Sequence, residues 1–82
     1  MTLNEFRSRS KYVQQLIVKH HGVFLSQRKS TDQDILLFQI DGFYVEVAYE
    51  RRSQKATLLQ SFDDLDQLEP YLQKINVLTL MD

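Results

Sequence analysis

The stretch Ile35-Leu36-Leu37-Phe38-Gln39-Ile40-Asp41-Gly42-Phe43-Tyr44-Val45-Glu46-Val47-Ala48-Tyr49 decides the fold. An Asp-Gly pair stands between two runs of alternating apolar residues. Such a pair favours a two-residue type I′ turn, in which both central residues take positive φ. The expected hairpin pairs Ile40 with Phe43, Phe38 with Val45 and Leu36 with Val47. Side chains alternate across a strand, so this register also assigns every residue to a face.

Working outward, two further turns extend the hairpin into a meander. A loop at Ser30-Thr31-Asp32-Gln33 pairs Lys29 with Asp34, Leu25 with Phe38 and Val23 with Ile40. A loop at Arg51-Arg52-Ser53-Gln54 pairs Glu50 with Lys55, Tyr49 with Ala56 and Val47 with Leu58. Both loops set opposite charges across the strands at their mouths, a favourable cross-strand pair. One face then carries Val23, Leu25, Leu36, Phe38, Ile40, Phe43, Val45, Val47, Leu58 and Phe62, nearly all apolar. The other is mixed, with Phe24, Arg28, Ile35, Leu37, Tyr44, Glu46 and Leu59.

Helices flank the strands. Thr2-Leu3-Asn4-Glu5 has the form of a capping box, and Leu3, Phe6, Val13, Leu16 and Ile17 follow at helical spacing. The pattern predicts a helix over residues 3–20, closed by a left-handed cap at Gly22. Downstream, Ser61, Asp63 and Asp66 are candidate caps, with Leu65, Leu68, Leu72 and Ile75 as an apolar stripe. Pro70 suits only the opening of a helix, which predicts a turn over 62–66 and a helix over 67–75. Residues 76–82 have strand character. The expected fold is α+β: a single domain over residues 1–82, ordered helix, four-stranded antiparallel meander, helix. Both helices pack on the apolar sheet face, and a short C-terminal strand can follow.

Composition narrows the function classes. The chain has 82 residues, no cysteine and a net charge of −1. Disulfide frameworks and thiolate metal sites are excluded. No apolar run reaches the ~20 residues of a membrane span, and no signal-peptide pattern opens the chain. These features point to a cytoplasmic protein without a membrane partner.

Candidate chemistry is sparse. His20 and His21 are adjacent, so on a helix they point about 100° apart and make poor joint metal ligands. Asp63, Asp64 and Asp66 lack the glycine and closing glutamate of a calcium loop, and suit a helix N-terminus instead. No phosphate-binding glycine loop and no nucleophile–base pattern is present. The reading names no catalytic residue, metal or cofactor, and points away from an enzyme.

Two kinds of surface remain. Arg28, Arg51, Arg52 and Lys55 sit at the strand loops and are the candidate contacts of a weak nucleic-acid binder. The helix–strands–helix order invites comparison with double-stranded RNA-binding domains, but the comparison stops there. Those domains open their last helix with lysines, and here the acidic Ser61-Phe62-Asp63-Asp64-Leu65-Asp66 would repel phosphate. The stronger candidate is the mixed face, where Phe24, Ile35, Leu37, Tyr44 and Leu59 form an apolar patch if nothing covers them. The sequence therefore predicts a non-enzymatic protein-interaction module that self-associates as a homodimer through this face or a sheet edge. Its alternatives are nucleic-acid binding and a role as accessory subunit to an enzyme encoded elsewhere.

Overall fold

The structure is a computed structural model and describes residues 1–72. Helices α1 (Leu3–Arg7) and α2 (Lys11–His21) precede strands β1 (Val23–Lys29), β2 (Gln33–Ile40), β3 (Phe43–Glu50) and β4 (Lys55–Phe62). A 3₁₀ turn (Leu65–Leu68) and one helical turn, α3 (Glu69–Leu72), follow. The strands form one antiparallel sheet in the order β1-β2-β3-β4. This is the α+β meander that the alternating pattern requires. The helix end expected at 73–75 and the strand character of 76–82 lie outside the described residues.

The central hairpin has the expected register, Ile40 to Phe43 through Leu36 to Val47. Its turn does not have the expected dihedrals. Only Asp41 takes positive φ, at 50°, and Gly42 lies outside the left-handed region. The type I′ expectation is corrected: the short polar side chain of Asp tolerates the left-handed region, so the pair turns with one positive φ.

The loop mouths also pair as expected, Lys29 with Asp34 and Glu50 with Lys55. Beyond them both edge strands slip. In β1 the ladder shifts between Phe24 and Ser26, leaving Leu25 as the extra residue and pairing Phe24 with Phe38. In β4 it shifts opposite Glu46/Val47, leaving Leu59 extra and pairing Phe62 with Tyr44. Each bulge exchanges the faces of the residues beyond it. Phe24 therefore moves to the Phe38 side, and Phe62 to the Tyr44 side. The expected pairs Leu25–Phe38 and Val23–Ile40 do not form.

The long N-terminal helix is broken. The capping box is present: Thr2 Oγ1 accepts from the Glu5 N–H at 3.1 Å, and Glu5 accepts from the Thr2 N–H at 3.0 Å. Ser8 then donates to the Glu5 carbonyl, and Ser10 caps α2 by accepting from the Val13 N–H at 3.2 Å. Two serines that compete for backbone partners end one helix and start the next. The restart sets α2 on a different face from the one its spacing suggested. Gln14 and Val18 are buried, whereas Val13 and Leu16 are exposed. Gly22 ends α2 without a left-handed φ, at φ −74° and ψ 139°. Its missing side chain matters for space, because a Cβ there would meet the Val18 carbonyl oxygen at 2.5 Å.

Each sheet face has its own core. On the helical face Phe6 and Val18 from the helices pack with Ile40, Phe43, Val45, Val47 and Leu58. On the opposite face Ile35, Leu37, Ala48 and Phe62 pack with Tyr71, flanked by Tyr44 and Leu68. The segment Leu65–Leu72 is thus a strap across the second face. The sequence reading set it on the first, together with the N-terminal helix. The displaced Phe62 gives the strap an apolar seat on the far side, which decides where it packs.

Candidate interaction surfaces

The face expected to be open is covered. Of its five candidate residues, Ile35 and Leu37 are 4% and 2% exposed and belong to the strap core. Tyr44 is half-buried, its ring 5.7 Å from that of Phe62. Phe24 has crossed to the other face and Leu59 sits in the β4 bulge; both are exposed. The five do not form one patch.

Under the strap lies a buried polar cluster that the sequence reading did not single out. Glu46 is buried in the middle of β3. It accepts hydrogen bonds from Gln60 of β4 and from the Tyr71 hydroxyl of α3. Arg28 of β1 pairs with it at 3.3 Å. The Arg28 guanidinium also stands over the Tyr71 ring, 5.5 Å from its centroid, a cation–π geometry. A buried carboxylate is expensive unless every lone pair finds a donor, and three elements supply donors here. Burial, then the bond to Glu46, pushes the Tyr71 hydroxyl up to about 12, against the opposing pull of Arg28. The bond to Tyr71, ahead of that to Glu46, raises the Arg28 guanidinium further. Arg28 Nε is buried with no acceptor among the described residues. Beside the cluster a cleft of about 380 Å³ opens between Arg28, Glu46 and Gln60 on the sheet and Asp66, Gln67, Glu69 and Pro70 on the strap. The signal for this cluster was a charged residue at an inward position of a central strand, Glu46, set against Arg28 at the same face.

The four cations read as nucleic-acid contacts divide. Arg28 is committed to Glu46 and Tyr71. Arg51 pairs with Asp34 at 2.7 Å and donates to the Ser30 and Thr31 carbonyls, so it staples the two loops. Arg52 and Lys55 are exposed. Among the described residues no group of three His, Asp or Glu side chains could hold a metal ion, and no helix is long and apolar enough to cross a membrane.

A run of three exposed apolar residues lies at the β1 edge. Val23, Phe24 and Leu25 are 61%, 52% and 44% exposed in succession. The Phe24 ring meets Phe38 edge-on, with centroids 5.9 Å apart. Phe38 in turn lines a groove of about 340 Å³ beside α2, with Val18, Leu36, Val47, Ala56 and Leu58. The apolar surface is therefore continuous from the sheet edge into a groove that the short helices leave uncovered. Comparison with protein-family models, with curated proteins and with solved structures finds no match to this chain.

Proposed function

We propose that this chain is a non-catalytic interaction module that self-associates through the β1 edge. The observation that carries the reading is the run of three exposed apolar residues, Val23, Phe24 and Leu25, on an edge strand. An edge presents unpaired backbone groups, and exposed apolar side chains beside it add surface that a partner can bury. The β4 edge is a poorer candidate, because Leu59 stands there among exposed Lys55, Thr57 and Gln60. A second copy of the chain is the proposed partner. Antiparallel edges related by a two-fold axis are self-complementary, and a net charge of −1 per copy opposes their approach little. The cysteine-free composition suits a reducing, cytoplasmic setting. The nucleic-acid alternative is weakened because Arg28 and Arg51 are spent on internal contacts.

Sedimentation velocity tests the proposal. Wild type is expected to show a reversible dimer, and Phe24→Glu to shift it to monomer with an unchanged far-UV circular dichroism spectrum. Leu37→Glu is expected to unfold the chain instead, since it sets a charge in the strap core at a cost of several kcal/mol. A wild-type protein that stays monomeric at about 100 μM, an affinity weaker than about −5.5 kcal/mol, overturns self-association.

A further inference from the structure

The Tyr71 seat is built entirely by the sheet. Arg28 comes from β1, Ile35 and Leu37 from β2, Glu46 and Ala48 from β3, and Gln60 and Phe62 from β4. Glu46 is held by Arg28 and Gln60 independently of the strap, so its carboxylate is aimed before any tyrosine arrives. What the strap adds is an occupant: a ring for the apolar walls and the guanidinium, and a hydroxyl that donates to Glu46. Site and ligand are separable here, as they are not in an ordinary core contact.

Among the described residues the occupant's segment has few apolar contacts with the sheet. The strap opens on a 3₁₀ turn, Leu65–Leu68, whose hydrogen-bond geometry is poorer than that of an α-helix. Leu65 is exposed, and among the described side chains Leu68 and Tyr71 join the core beneath. The cleft between Glu69–Pro70 and Gln60 keeps much of the strap off the sheet. Residues 63–72 carry Asp63, Asp64, Asp66 and Glu69 and no lysine or arginine, and Asp66 and Glu69 line the cleft beside the buried Glu46, where like charges repel. Asp63 and Asp64, both exposed, make the connection from β4. Lifting the strap leaves Glu46 short of a donor and the apolar walls wet, so an uncovered seat calls for an identical replacement.

We propose that this seat is a tyrosine-recognition site whose second ligand is the Glu69–Leu72 segment of another copy of the chain. Exchange re-forms every contact of the closed form and changes only which copy supplies Tyr71, the low-cost route to a dimer. It involves the face opposite the Phe24 groove, so it stands or falls separately from the edge contact.

The test mixes methyl-labelled and unlabelled wild-type chains in equal amounts, unfolds and refolds them together, and records isotope-filtered NOEs at roughly 1 mM chain. The expected result is cross-peaks between the Tyr71 ring of unlabelled chains and the Ile35 and Leu37 methyls of labelled ones. At this roughly tenfold higher concentration, and after co-refolding, they should persist in a Phe24→Glu background, which is monomeric at about 100 μM because the edge contact is lost. A dimer whose Tyr71 NOEs are confined within one chain overturns the proposal, as does a wholly monomeric sample. Tyr71→Ala in the unlabelled chain should abolish the cross-peaks; the wild-type measurement decides the matter even if that variant fails to fold.

Discussion

Asp41 occupies the strained position of the central turn, and the glycine beside it does not. Asp41→Val should therefore cost about 1–3 kcal/mol, because a β-branched residue resists positive φ. Asp41→Asn is the control: it removes the exposed pair with the Met1 ammonium but keeps tolerance of the left-handed region. Gly42→Ala should change little, since no atom lies within 4 Å of a Cβ placed there. Urea melts of the three variants rank them. Tyr71 makes a second prediction at this scale. The fold raises its hydroxyl from 10.0 to about 12. Below pH 10 both folded and unfolded chains hold the proton, and the contribution is complete. Between about pH 10 and 12 the unfolded chain ionises first, so stability falls by up to about 1.4 kcal/mol per pH unit. Tyr71→Phe should lose that increment of the slope when melts of the two proteins are compared across this range.

At the scale of elements, the paired bulges separate what the sequence showed from what it hid. The Asp-Gly pair and the charges at the loop mouths fixed the central register, and the strands pair there as read. Nothing in Val23-Phe24-Leu25-Ser26 or Leu58-Leu59-Gln60 marks a bulge, because each run stays apolar or polar enough under either register. One extra residue in each edge strand then moved Phe24 and Phe62 across the sheet, and with Phe62 went the strap and the candidate interface. Ser8 and Ser10 favour caps over helix interiors, a signal that the apolar spacing alone does not carry. Deleting Leu59 provides a test. The ladder on either side, Val47 with Leu58 and Glu46 with Gln60, already has the alternation of a regular strand once that residue is removed. The deletion should leave all other pairs in place and cost less than Phe62→Ala, for which about 3–5 kcal/mol is expected. Thermal melts compare the two.

Among the described residues, the sheet is the centre, with the N-terminal helices packed on one face and the Leu65–Leu72 strap on the other. This explains why a charge at position 37 and a charge at position 24 are expected to act so differently: one enters a core and the other a surface. It also sets an order of events. The Tyr71 seat draws on all four strands, and none of its walls faces another until the meander has paired from end to end. Docking of the strap is therefore expected to follow assembly of the sheet. Its contacts should then be absent from the folding transition state, with a φ-value near zero at Tyr71. In stopped-flow chevrons, Tyr71→Phe should leave the folding limb in place and lift the unfolding limb, so this side chain governs how long the native state lasts without influencing how fast it forms.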